Sequence, residues 1–247
     1  MQEQIYTIPV NEAYDTPCEC PLCLLEKKLE DEAVDYALGA AMMEPDYRIK
    51  SNEKGFCNRH ISQMYERPNK LSLALVLDTH LEETRNKLKS YKKALPSLIS
   101  EKSSLFKKSD AKEFCEKLSK ELHTINSSCV ICDQINHTME RYINVIFYMW
   151  KKDGDFKKKF ENSKGLCMKH FEELLTAAPK SLHGKALGEF LNTLVSKQTA
   201  EFDRIQADIH KFTLKFDYRN KDMEWGTAED APIRTSEKLS GFLHKNQ

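Results

Sequence analysis

Residues 20–43 read CPLCLLEKKLEDEAVDYALGAAMM, and residues 129–152 read CVICDQINHTMERYINVIFYMWKK. Each stretch opens on a Cys-x-x-Cys pair and then spaces its apolar residues by three and four. In the first, positions 22, 25, 29, 33, 36, 40 and 43 are apolar or small; in the second, Ile131, Ile135, Met139, Tyr142, Ile146 and Met149 repeat the pattern. That period is one stripe along a helix, so each CxxC launches a long amphipathic helix whose Met and aromatic stripe reads as core rather than as a cofactor box. Eight Gly and eight Pro in 247 residues leave little room for turn-rich β architecture. The chain therefore reads as all-α.

A second motif follows each of these stretches. PDYRIKSNEKGFCNRH ends on Cys57 and His60, and GDFKKKFENSKGLCMKH ends on Cys167 and His170. Asp46, Tyr47, Lys50, Asn52, Lys54 and Gly55 match Asp155, Phe156, Lys159, Asn162, Lys164 and Gly165. The gap from CxxC to CxxH is 33 residues in the first copy and 34 in the second. Two units of this length are too long and too few for a solenoid, so the expectation is an internal duplication giving two homologous helical halves in a pseudo-two-fold arrangement. Residues 1–95 form the N-terminal half and 111–220 the C-terminal half. The Pro96- and Ser-containing segment 96–110 links them, with Ser109 or Asp110 capping the next helix. Residues 181–212 form one helix of more than 30 residues after a shorter one stopped near Pro179, and 221–247 form a loop and a docked helix.

The ligand types are those of a metal site. A CxxC places two thiolates on one ion, and a CxxH one helical turn long adds a thiolate and an imidazole, which fills a tetrahedral shell. Read in chain order, Cys20, Cys23, Cys57 and His60 staple the first half, and Cys129, Cys132, Cys167 and His170 the second. Gly55 and Gly165 supply the permissive backbone before the third cysteine. Zinc, two ions per chain, is favoured over an iron–sulfur cluster and over reduced thiols without metal. A disulfide framework does not suit a chain read as cytosolic, and c-type haem is disfavoured because Leu24 and Asp133, not His, follow the CxxC pairs. A closed Cys3His shell has no position for substrate, so these sites read as structural.

Other features point less sharply. Cys18 makes the first motif CxCxxC and is an ordinary partly exposed cysteine or a spare reactive thiol; Cys115, among Phe114, Leu118 and Leu122, reads as core packing. His80, His123, His137, His183, His210 and His244 form no HExxH-like pair, and no nucleophile elbow, Walker loop or Rossmann glycine run is present. Lys plus Arg and Asp plus Glu are 38 each, which argues against a dedicated nucleic-acid binder. The balance is uneven: residues 1–46 hold eleven acids against Lys27 and Lys28, and 85–120 hold eleven basic residues against four acids. Lys87, Lys89, Lys92, Lys93, Lys107 and Lys108 read as a solvated face, with RNA or an acidic partner as the alternative, although no interleaved aromatics support base stacking. No apolar run approaches a membrane span, and the start MQEQIYTIPVNEAYD lacks a signal-peptide pattern, so a cytoplasmic location is expected.

The run CPLC, DYRIKSNEKGFCNRH and LSLALVLDTHLEE, with the IYTIPVNEAY start and EWGTAEDA tail, resembles an uncharacterised bacterial family with a domain of unknown function and duplicated CPxC and GxCxxH motifs. The resemblance spans nearly the whole chain and implies the same eight ligands, but no activity. The expectation is a zinc-stabilised, non-enzymatic binding or adaptor protein, whose partner protein or small ligand sits between the halves. The alternatives are a thiol-based redox or electrophile sensor or enzyme using Cys18, and RNA binding through 85–120.

Overall fold

The computed structural model describes residues 2–99 and 107–242, which form eleven α-helices and no strand. They are α1 (Gln2–Asp15), α2 (Pro21–Leu38), α3 (Pro45–Lys54), α4 (Asn58–Glu66), α5 (Lys70–Ile99), α6 (Lys107–Ser127), α7 (Val130–Lys152), α8 (Gly154–Asn162), α9 (Met168–Ser181), α10 (Gly184–Leu214) and α11 (Ala231–Ser240). Short 3₁₀ turns lie at Ala40–Met43, Tyr218–Asn220 and Gly226–Ala228. No described helix is long and apolar enough to cross a membrane.

Local chemistry sets most of these boundaries. Pro45 begins α3 at a position where a missing N–H costs nothing, and Gly55 ends it at φ 64°. Asp153 caps α8 by accepting from the backbone N–H groups of Asp155 and Phe156. All six stripe positions named on α7 are buried. On α2 the expected stripe holds at Leu22, Leu25 and Ala33. It then drifts to Val34, Ala37 and Leu38, because a helix of 3.6 residues per turn does not keep a seven-residue repeat. Gly39 ends α2, and Met43 is exposed.

Several expected boundaries are corrected. The helix α5 continues through Pro96 to Ile99, while α9 ends at Ser181, just past Pro179, as expected. The helix α6 starts at Lys107, so Ser109 and Asp110 lie within its first turn. Of the segment read as a linker, residues 100–106 lie outside the described residues, as does His244. The 31-residue α10 matches the expected long helix.

The chain forms two compact units, one of Met1–Leu29 with His137–Gln247 and the other of Glu30–Asn136. In the first, Trp150, Phe147, Phe160 and Phe190 make an aromatic core with ring centroids 5.2–5.6 Å apart. Tyr14 of α1 stacks on Phe160 and meets Phe156 edge-on. In the second, α3 lies against α5, where Arg48 and Asn52 both bond Thr79. Tyr91 of α5 meets Phe114 of α6 edge to face and donates to Glu121.

Candidate metal centres

Each CxxC sits at a helix N-terminus and each CxxH opens another helix. Cys20 precedes α2 and Cys129 precedes α7, while Cys57 and Cys167 occupy the N-cap positions of α4 and α9 with extended φ and ψ. Helix N-termini favour thiolate. Gly55 and Gly165 both take positive φ, 64° and 75°, turning the chain into the third cysteine as expected.

All eight expected ligands are brought together, but not in chain order. One cluster is Cys20, Cys23, Cys167 and His170; the other is Cys57, His60, Cys129 and Cys132. The expectation that each half closes its own site is thereby corrected: the first CxxC meets the second CxxH, and the second CxxC meets the first CxxH.

The donor spacing suits a tetrahedral ion. Bonds of about 2.3 Å to sulfur and 2.0–2.1 Å to nitrogen imply edges of about 3.8 Å between sulfurs and about 3.5 Å from sulfur to nitrogen. In the first cluster His170 Nδ1 lies 3.4 Å from Cys20 Sγ, 3.4 Å from Cys23 Sγ and 3.2 Å from Cys167 Sγ, and Cys23 and Cys167 sulfurs are 3.5 Å apart. In the second, His60 Nδ1 lies 3.3, 3.2 and 3.4 Å from the sulfurs of Cys57, Cys129 and Cys132, and Cys57 and Cys132 sulfurs are 3.8 Å apart.

Electrostatics also suit a cation at each cluster. Burial raises the Cys129 thiol, but hydrogen bonds from His60 and from the backbone of Cys132 and Cys57 win and bring it down to about 6. Burial and the neighbouring thiolates drive Cys132 up, and bonding to Cys167 and Cys20 drives Cys23 up. Three thiols this close cannot all ionise unless a positive ion sits among them.

Each imidazole presents Nδ1 to the thiols and Nε2 toward a carboxylate, that of buried Glu30 for His60 and of partly exposed Glu26 for His170. Glu30 Oε1 lies 3.1 Å from His60 Nε2 and is held by Arg59, and Glu26 Oε2 lies 3.4 Å from His170 Nε2, with Lys169 on its other oxygen. Burial opposes ionisation of both acids, but these partners prevail and hold each carboxyl at about 2. The Glu30–His60 hydrogen bond fixes the ring tautomer and raises the basicity of Nδ1, whereas His170 Nε2 is near Glu26 without a hydrogen bond to it. Sequence reasoning missed both glutamates. Glu26 carried a signal, since its offset of three from Cys23 puts it on the same helical face.

The shielding of the two centres differs. All four residues of the first are buried, whereas Cys57 and Cys132 of the second are partly exposed. Gln198 pins the loop before Cys167 by accepting from Leu166 N–H and donating to Leu166 C=O. Lys238 of α11, 1% exposed, donates to the carbonyls of Glu19 and Lys164 and lies 3.2 Å from the Glu19 carboxylate. At the end of α11, a Cβ on Gly241 would lie 3.6 Å from Cys23 Sγ. In the second centre Ser128 Oγ donates to Lys54 C=O, and Val130 N–H to Gly55 C=O.

Cys18 is partly buried and its thiol is pushed up to about 11, by burial first and then by Cys20 and Glu19, the opposite of what a reactive thiolate needs. Cys115 is exposed on α6, which corrects its reading as a core residue: a two-helix hairpin cannot bury both faces of α6. His80 places Nδ1 2.8 Å from Asn52 C=O, as a satisfied structural histidine does.

No curated protein and no solved structure matches the chain. A family model described as a family of unknown function (DUF6062) matches residues 1–246, and the chain belongs to that family.

Proposed function

We propose that both clusters hold Zn²⁺ in closed Cys3His shells, and that the protein is a zinc-stabilised helical binding or adaptor module without catalysis of its own. The observation that carries this reading is the spacing of the four donors at both centres, which approximates the edges of a tetrahedral thiolate–imidazole shell. A closed shell leaves no coordination site for substrate or water, so the metal acts on folding. Zinc binding of roughly 10–16 kcal/mol per structural site compares with a net domain stability of about 5–15 kcal/mol, so each unit depends on its ion. An intracellular, reducing setting suits six unpaired thiolate ligands. An apolar recess lined by Ala74, Leu75, Leu77, Leu81 and Ile125 adds a surface on which a partner can dock.

Elemental analysis of protein purified without added metal tests this. About two zinc ions per chain is the expected result, with Cys57→Ser and Cys167→Ser each removing one. Iron with visible absorbance would replace zinc by cluster chemistry. A metal-free chain fully stable in chelator would sink both.

A further inference from the structure

The second cluster stands at the base of a long, thinly packed hairpin. Its CxxH lies ahead of α5 and its CxxC directly after α6, so Cys57, His60, Cys129 and Cys132 tie together the two ends of the α5–α6 pair. Among the described side chains from Leu77 to Ser128 none is buried, so apolar burial contributes little to holding that pair in its unit. Two of the four cluster residues also meet solvent. The sulfurs of Cys57 and Cys132 lie 3.8 Å apart and both residues are partly exposed, whereas Cys129 and His60 are buried. Closeness alone does not set this pair apart, because the sulfurs of Cys23 and Cys167 in the other cluster are 3.5 Å apart. Access does: Cys23 and Cys167 are 4% and 0% exposed. Cysteine oxidation follows thiolate character and exposure, and a sulfenic acid with a second sulfur in reach closes to a disulfide.

We propose that the second centre is a peroxide-responsive switch, in which Cys57 and Cys132 join as a disulfide and the ion is released. The proposal rests on the reading of both clusters as zinc sites. One of the two thiolates attacks a peroxide oxygen: an S–O bond forms, the O–O bond breaks and hydroxide leaves. The other thiolate attacks the resulting sulfenic sulfur, so that the S–S bond forms as the S–O bond breaks and a second hydroxide leaves. The two sulfurs give up two electrons to the peroxide, and two protons from solvent convert the hydroxides to water. Cys129 and His60 then remain as the only donors, too few for a tetrahedral shell. The new bond joins the same two segments that the ion joined, so the base of the hairpin stays closed and reduction returns all four donors to the metal. The first centre, with its sulfurs buried, keeps its ion throughout.

Hydrogen peroxide added to the full metal-loaded chain, in a Cys115→Ser background that removes an exposed thiol outside both clusters, tests it. Metal content is measured first; absence of zinc at that stage overturns the zinc reading, and the switch with it. From a start of about two zinc ions per chain, a zinc indicator should register the loss of one, and peptide mapping without reductant should find Cys57 linked to Cys132. Cys167→Ser, which keeps the second centre, should release its ion at least about tenfold faster than Cys57→Ser, which keeps the first. Dithiothreitol with added zinc should restore the lost ion. Zinc that stays in place, equal release from both centres, or a link other than Cys57 to Cys132 overturns the switch and leaves the zinc reading intact.

Discussion

Cys23 and Cys167, 144 residues apart in the chain, place their sulfurs 3.5 Å apart. The contact joins the first CxxC to the second CxxH and separates the observed pairing from the one chain order suggests. Metal stoichiometry of double variants distinguishes them. Cys23→Ser with Cys167→Ser should lose one metal per chain, because both changes fall in one shell. Cys23→Ser with Cys57→Ser should lose both. Pairing in chain order gives the opposite outcomes, so elemental analysis of these two proteins decides the matter.

Unequal shielding should make the two metals leave at different rates. Cys57 and Cys132 are partly exposed, whereas Cys20, Cys23, Cys167 and His170 are buried, with Gly241 against the sulfurs and Lys238 tying the carbonyls of Glu19 and Lys164. Chelator challenge followed with a colorimetric zinc indicator should show two phases. Cys167→Ser should keep only the fast phase and Cys57→Ser only the slow one. Lys238→Met leaves two carbonyls without their donor, at a cost of about 1–3 kcal/mol each if they stay dry, and should speed the slow phase alone. A single phase in the wild-type protein would show that burial does not control release.

The helical class and all eight cluster residues were legible because apolar period and ligand spacing are local properties of a sequence. The pairing was not read from spacing, since gaps of 33 and 34 residues fit either arrangement. It depends on how the helices pack, which the positions of the cysteines along the chain do not encode. Lys238 carried no local sign at all: a lysine near the end of a sequence looks solvated, and only the packing of α11 shows it buried on two carbonyls. The helix over 2–15 was missed because, among the side chains described there, the buried ones are Val10, Ala13 and Tyr14, too few to set a helical period.

Gly55 is irreplaceable for two separable reasons. Its backbone, at φ 64° and ψ −155°, lies in a region essentially closed to other residues, and a Cβ there would stand 2.4 Å from His80 Nε2. Gly55→Ala should cost about 1–3 kcal/mol from backbone strain, with the clash in addition. His80→Ala in the same protein should recover the steric part and leave the strain. At Gly165 the nearest atom is Gln198 Oε1 at 2.9 Å, on a flexible side chain, so Gly165→Ala should be milder. Denaturant melts of the metal-loaded proteins, arranged as a double-mutant cycle, measure both contributions; additivity of Gly55→Ala and His80→Ala would remove the steric argument.

Glu30 tests whether a carboxylate behind the imidazole tunes the metal. Its side chain is 1% exposed, accepts from His60 Nε2 at 3.1 Å and is paired with Arg59 at 2.6 Å. Glu30→Ala removes the acceptor that fixes the ring with Nδ1 facing the thiols, and should lower metal affinity at that centre by about 10–100-fold. Glu30→Gln keeps an acceptor oxygen and loses the charge, so it should fall between Glu30→Ala and the wild type. Arg59 is roughly half exposed, so Arg59→Ala should act weakly. Competition titrations against a chelator of known affinity, in a Cys167→Ser background so that only one centre reports, give the order directly. Equal affinity for Glu30→Ala and the unsubstituted background would reduce the carboxylate to a packing role, since lost packing alone has no reason to act on the affinity for the ion.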